Sequence, residues 1–184
     1  PPGEMLREAG RHTNINQVII DEKASTVFLA DPEMSLDVGA VAKGYAAEQV
    51  ARIAIENGFQ SGLISVGGNV RAIGRKNGSD ALWNVGIRNP DKDQGTGQNN
   101  ILVVYLSDMS LVTSGDYERY YTVGDKMYHH IINPETLFPA EYFTAVTILC
   151  KDSGVADALS TAVFNMTFEQ GLTLIESLPD TEAL

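Results

Sequence analysis

Short strand-like runs broken by turn residues dominate this chain, and that punctuation restricts its fold more than any other feature. Val18-Ile19-Ile20-Asp21 and Thr26-Val27-Phe28-Leu29 are β-branched or aromatic runs separated by charged and small residues, which predicts a hairpin. Leu63-Ile64-Ser65-Val66, a Gly67-Gly68 turn, Val70-Arg71-Ala72-Ile73 and Trp83-Asn84-Val85-Gly86-Ile87 read as further strands. Asn89 to Asn100 reads as a loop, Ile101 to Leu106 as a buried strand, and two more strands are expected near Tyr128 to Ile132 and Thr144 to Cys150. Two helical repeats interrupt the series. Ala42, Ala46, Val50, Ile53 and Ala54 recur at helical spacing, with Gly39 just before the first turn and Asn57-Gly58 as the stop. A second helix is expected from about Val155 to Met166, capped by Asp152 or Ser153. The series predicts an α+β fold: a mixed, mainly antiparallel sheet packed with helices in one domain over residues 1–184, without linker or internal repeat.

Composition narrows the function classes. With Lys+Arg 13 against Asp+Glu 24, the formal charge is −11. Affinity for nucleic acid comes mainly from clustered Lys and Arg, so a nucleic-acid partner is disfavoured, as is an anionic membrane surface. Apolar runs such as Ile101 to Leu106 fall far short of the ~20 residues that span a bilayer, so no transmembrane segment is expected. Cys150 is the only cysteine, which excludes an intrachain disulfide and a multi-thiolate zinc site. The chain opens on Pro1-Pro2-Gly3 with no initiator Met or signal pattern, which suggests a fragment or a processed form.

Four segments carry candidate chemistry. In Asp157-Ala158-Leu159-Ser160-Thr161, a spacing of four puts the Asp157 carboxylate and the Thr161 hydroxyl one turn apart on one helix face. Val155, Ala158, Leu159, Ala162, Val163 and Met166 are expected on the opposite side, while Phe164 and Ala156 make the Asp157 side partly apolar too. Hard oxygen ligands suit Mg²⁺; the alternative is an Asp favouring the helix dipole, with Thr161 bonding back to a carbonyl. In Leu36-Asp37-Val38-Gly39-Ala40-Val41-Ala42-Lys43-Gly44, small residues entering a helix admit an anion beside Lys43, or form a simple turn with a solvated lysine. It lacks the Gly-Lys-Ser/Thr of a Walker A loop. Ser65-Val66-Gly67-Gly68-Asn69 and Thr113-Ser114-Gly115-Asp116-Tyr117 suit close backbone approach by a ligand, and turns explain them equally. In Tyr128-His129-His130-Ile131-Ile132-Asn133-Pro134 the adjacent histidines would point to opposite faces of a strand, so only one can enter a given site, as a structural hydrogen-bonder or a general base.

Taken in order, Asp37-Val-Gly-Ala-Val-Ala-Lys43-Gly-Tyr-Ala, Ser65-Val-Gly-Gly-Asn69, Thr113-Ser-Gly-Asp-Tyr117, His130-Ile-Ile-Asn-Pro134 and Ala156-Asp-Ala-Leu-Ser-Thr161 resemble the ApbE family, the Mg²⁺-dependent FAD:protein FMN transferases once described as thiamine biosynthesis lipoproteins. The resemblance covers essentially the whole chain. Members are normally nearly twice as long, so it implies the C-terminal portion of a T-fold-related domain whose N-terminal part adds aromatic flavin contacts.

The same resemblance implies that FAD is split at its pyrophosphate, FMN passes to a threonine of a partner flavoprotein and AMP leaves. An FAD pyrophosphatase giving FMN and AMP, or a non-enzymatic FAD-binding module, are the alternatives. By resemblance, Asp157, Thr161 and the backbone oxygen of Ala40 hold Mg²⁺ with Ser160 beside them. Asp37, Lys43, Gly67, Gly68, Asn69, Ser114 and Ile131 contact the flavin nucleotide, and His130 is the base for the incoming hydroxyl. An extracytoplasmic, lipid-anchored full-length form is also implied. Two positions depart from the family pattern: Asn133 replaces an Asp, and Leu137 replaces a Gly before Phe138-Pro139. The first removes a negative charge, and the second is expected to alter the turn.

Overall fold

Every described strand ladder is antiparallel. The computed structural model describes residues 2–90 and 99–184. In chain order its regular elements are α1 (Gly3–Gly10), β1 (Val18–Asp21), β2 (Thr26–Leu29), α2 (Gly39–Glu56), β3 (Gly62–Val66), β4 (Asn69–Ile73), β5 (Trp83–Arg88), β6 (Asn100–Leu106), β7 (Ser110–Gly115), β8 (Tyr120–Val123), β9 (Lys126–His129), β10 (Ala145–Cys150), α3 (Ser153–Phe164), α4 (Phe168–Glu176) and β11 (Glu182–Ala183). One sheet runs β11-β10-β7-β4-β3, and β1-β2, β5-β6 and β8-β9 form separate ribbons. Gly67 and Gly68, at φ +48° and +94°, make the two-residue turn that joins β3 to β4. Both central residues need positive φ there, which only glycine adopts readily.

The central sheet is covered on both faces. Val112, Val146, Ile148 and Cys150 pack with Ala156, Val163 and Phe164 of α3 and Ile175 of α4. Their neighbours Leu111 and Leu149, pointing the other way, join Ala72 and the ribbon residues Val85, Ile87 and Leu106. At about 25 cal/mol per Å² of apolar surface, each fully buried Leu, Ile or Phe contributes roughly 1.5–3 kcal/mol to this arrangement. Among the described residues no helix is long and apolar enough to cross a membrane.

Several boundaries differ from the sequence reading. The first long helix begins at Gly39 rather than Ala42, because Ala42 N–H already donates to the Val38 carbonyl. Its predicted stop holds, with Asn57 as C-cap and Gly58 at φ +85°. The run after 100 is a strand, but mostly an exposed one: Ile101 and Tyr105 are 60% and 63% exposed, because β6 pairs with β5 alone and only one ribbon face meets the sheet. The strand expected to reach Ile132 ends at His129, where Ile131 N–H turns back onto His129 Nδ1 and Ile132 retains only a bridge to Pro139. The loop expected between Asn89 and Asn100 lies for most of its length on residues 91–98, outside the described residues.

The second helix buries the side that carries Asp157. Of the two candidate caps, Asp152 caps it, accepting from Gly154 and Val155 N–H. Its buried residues are Ser153, Ala156, Asp157, Ser160, Val163 and Phe164, whereas Val155 is half exposed. The larger apolar side chains alone point to a different stripe. Packing overrides them because the small Ala156 and Ser160 allow α3 to lie close on β7 and β10. α1, β7, β8, α4 and β11 have no counterpart among the elements predicted from the sequence. The Thr167–Gln170 capping box is a start signal for α4 that was available in the sequence.

Candidate functional site

The site is built where α3 crosses α2. A Cβ on Gly44 would lie 2.1 Å from the Ser153 carbonyl oxygen and 2.6 Å from Asp157 Cβ, so only glycine allows this approach. The contact turns Asp157 toward α2, where its Oδ2 accepts the Gly44 N–H at 2.8 Å. In an unbroken helix that N–H belongs to the Ala40 carbonyl, so Asp157 competes with Ala40 for it at the wall of the cavity described below.

A buried ion pair fixes the crossing. Glu48 Oε2 accepts from Arg71 Nε at 2.9 Å, with side chains 8% and 9% exposed, and from Ser153 N–H at 3.0 Å. Arg71 also donates to the Ala72 carbonyl, and Arg52 pairs with Asp152 at 2.9 Å. The carboxylates of Glu48 and Asp152 thus sit at the N-terminus of α3, where the helix dipole favours negative charge.

Hydroxyls extend from α3 to the sheet. Ser160 Oγ donates to the Asp157 carbonyl at 2.9 Å and lies 2.8 Å from Ser114 Oγ, which is 3.4 Å from Thr161 Oγ1. With the Ser160 proton committed to the carbonyl, Ser114 donates to Ser160 and accepts from Thr161. The Thr161 oxygen keeps lone pairs for the cavity side.

Asp157, Thr161 and Ser114 face a cavity of about 1160 Å³ that Asp37, Ala40, Lys43, Gly67, Gly68, His130 and Ile131 also line. That size slightly exceeds the usual range of ligand-binding clefts. Lys43 Nζ donates to the Gly67 carbonyl at 3.3 Å, and Gly39 N–H donates to Asp37 Oδ1 at 2.6 Å. Two predicted residues do not line the cavity. Asn69 is fully buried and neither its side-chain nitrogen nor its oxygen has a partner among the described residues; Ser160 supports Ser114 from behind.

The histidines divide as their alternation requires. His129 is buried, donates from Nε2 to the Ala140 carbonyl at 2.8 Å and meets Phe164 edge-on. His130 faces the cavity, and its Nδ1–H donates to the Arg119 carbonyl at 3.1 Å, which leaves Nε2 with its lone pair free. Partial desolvation holds its pKa below the ordinary 6.5. Tyr117, Arg119 and the Arg88–Glu118 pair complete the wall and were missed as individual residues, although Tyr117 closes a segment singled out for its small residues. Burial raises the Tyr117 phenol above its ordinary 10.0, with Glu118 adding to the effect.

The turn after His130 closes despite its two departures. Asn133 Oδ1 accepts from Glu135 and Thr136 N–H, and Leu137 sits at φ +62°, with its N–H on the Asn133 carbonyl. Gly10 of α1 lies against it: a Cβ there would meet Leu137 Cδ1 at 2.8 Å.

The cavity thus brings the Asp157 carboxylate, several hydroxyls and Lys43 together, with Asp37 and Glu118 also on its wall. The donor set fits Mg²⁺, which accepts one or two carboxylates when phosphate and water complete its shell. No group of three or more His, Cys, Asp or Glu among the described residues is arranged to hold a metal.

The chain belongs to the ApbE family, whose model matches residues 1–184. It is 40% identical to an FAD:protein FMN transferase of Treponema pallidum, across 100% of this chain and 54% of that protein. A second protein so named, from Klebsiella pneumoniae, is 34% identical across 94% of this chain and 52% of its own length. The crystal structure of the ApbE protein of Thermotoga maritima superposes with a TM-score of 0.87 at 36% identity, covering 100% of this chain and 58% of that one. The flavin transferase ApbE of Vibrio cholerae gives 0.83 at 28% identity, covering 100% and 56%. This chain therefore spans about half the length of the relatives it matches.

Proposed function

We propose that this chain carries the metal- and nucleotide-binding part of an FAD:protein FMN transferase, which moves FMN from FAD to a threonine of a partner flavoprotein in a Mg²⁺-dependent reaction. The observation that carries the reading is the junction of Asp157 and Thr161 with Lys43 and His130 on one cavity. The names of the relatives support the same reaction class.

In this reading Asp157, Thr161 and the Ala40 carbonyl would hold Mg²⁺, whose charge would offset that of the pyrophosphate. Lys43 adds a second positive charge. The acceptor hydroxyl attacks the FMN phosphorus, a new P–O bond forms, the pyrophosphate P–O bond breaks and AMP leaves with the bridging oxygen. His130 takes the hydroxyl proton at Nε2, a contribution typically worth about 10²–10⁴-fold. Orientation and charge carry most of the remaining acceleration, as in other phosphoryl transfers. The extracytoplasmic, lipid-anchored placement is part of the proposal and rests on family resemblance alone.

Incubating the protein with FAD, Mg²⁺ and an acceptor flavoprotein tests this. AMP release matched by a threonine-linked FMN is expected, and FAD recovered intact contradicts it. AMP and free FMN without a modified acceptor mark a hydrolase.

A further inference from the structure

Among the described residues Lys43, Arg88 and Arg119 line the cavity, and the first two are already engaged. Lys43 donates to the Gly67 carbonyl at 3.3 Å, and Arg88 pairs with Glu118 at 2.8 Å. No carboxylate among the described residues pairs with Arg119, in a chain carrying 24 acidic residues against 13 basic ones. Arg119 lies one residue before β8, and the β8–β9 ladder ends on Tyr120 opposite His129. The next rung sets residue 119 beside residue 130. The contact is explicit in the hydrogen bond from His130 Nδ1 to the Arg119 carbonyl. A guanidinium offers five donors in a fixed fork that matches phosphate oxygens, and one left without an acid partner on a cavity wall fits an anionic ligand group.

We propose that Arg119 is a phosphate-binding residue that acts beside His130: its guanidinium holds a phosphate of the bound nucleotide while its carbonyl sets the imidazole tautomer. The inference rests on the nucleotide reading above and adds a residue to it. One ribbon end then fixes both the ligand and the base, so the attacked phosphorus and the proton acceptor share a single frame. The Arg119 charge also opposes protonation of His130, after the larger effect of desolvation.

The test uses Arg119→Met and Arg119→Lys in the intact chain, with FAD, ADP and riboflavin as probes in a titration. Loss of a charge-assisted contact is expected to weaken FAD and ADP by roughly 10- to 100-fold while riboflavin, which has no phosphate, is unaffected. The lysine variant recovers part of that loss. In the methionine variant the acid limb of the rate profile moves to higher pH. Unchanged FAD and ADP affinity overturns the inference, as does an equal loss for riboflavin, which marks a structural role. Wild-type protein that binds neither FAD nor ADP refutes the nucleotide reading itself, before either variant is compared.

Discussion

The Gly44 N–H of α2 donates to the Asp157 carboxylate of α3 at 2.8 Å, across a crossing too close for any Cβ at position 44. A residue 113 positions away thus competes for the N–H that helix geometry assigns to Ala40, and one close contact ties fold to site.

Replacing Gly44 should damage both. In Gly44→Ala the new methyl meets backbone at Ser153, which cannot swing aside as a side-chain end would. Overpacking of this kind costs about 1–3 kcal/mol. For a chain of this size that lowers Tm by roughly 2–12 °C, which thermal unfolding measures. Mg²⁺ affinity measured by titration should fall further than stability alone predicts.

Asp157→Asn separates chemistry from folding. The amide oxygen still accepts the Gly44 N–H, so Tm should change by only a few degrees, while the lost charge removes the one carboxylate of the proposed metal set. Mg²⁺-dependent FAD cleavage is expected to drop by on the order of 10²-fold or more. Unchanged cleavage at saturating Mg²⁺ would remove Asp157 from the site.

The Glu48–Arg71 pair should outweigh every exposed pair. Both side chains are more than nine-tenths buried, so Glu48→Ala leaves the Arg71 charge without its partner. A cost of about 3–5 kcal/mol is expected by chemical denaturation. Arg52→Ala, which removes an exposed partner of Asp152 and a longer, 3.5 Å contact to Glu48 while Arg71 still pairs with that carboxylate, should cost less, about 1 kcal/mol.

The His12–Asp31 contact makes stability pH-dependent in two opposite directions. His12 Nδ1 lies 2.8 Å from Asp31 Oδ2, and this bond raises the His12 pKa above 6.5. Its contribution is therefore complete below 6.5 and lost as pH rises through the folded value. Asp31 is lowered below 3.8, first by the Glu33 N–H and then by His12, so its contribution is present above 3.8 and lost as pH falls through the folded value. The two overlap between 3.8 and 6.5. His12→Gln should flatten the alkaline side of the stability curve, measured by denaturant midpoints, without moving the acid side as much.

Much of this was legible because local rules and packing agreed. The β1–β2 hairpin and the Gly67-Gly68 turn lie where turn chemistry places them, and Asp152 is the cap among the two candidates that capping chemistry leaves open. The misreadings arose where tertiary contact overrode pattern. The buried face of α3 follows from how near Ala156 and Ser160 let it approach the sheet, a quantity that helical spacing does not contain. β6 looked buried because its residues are apolar, yet burial depends on what covers a ribbon. Arg119 escaped notice because only the β8–β9 register brings it beside His130. Leu137 adopts the positive φ expected of glycine, with Gly10 against its side chain, so the turn forms without the expected residue.

Flavin transfer and the part His130 plays in it are both read from the mass of an acceptor flavoprotein incubated with FAD and Mg²⁺ and either wild-type protein or its His130→Gln variant. Wild-type protein is expected to place FMN on an acceptor threonine with an equal amount of AMP, and the variant to do so about 10²-fold or more slowly. An acceptor modified equally fast by both proteins would contradict the role of His130, and an acceptor left unmodified by the wild type would contradict the transfer itself.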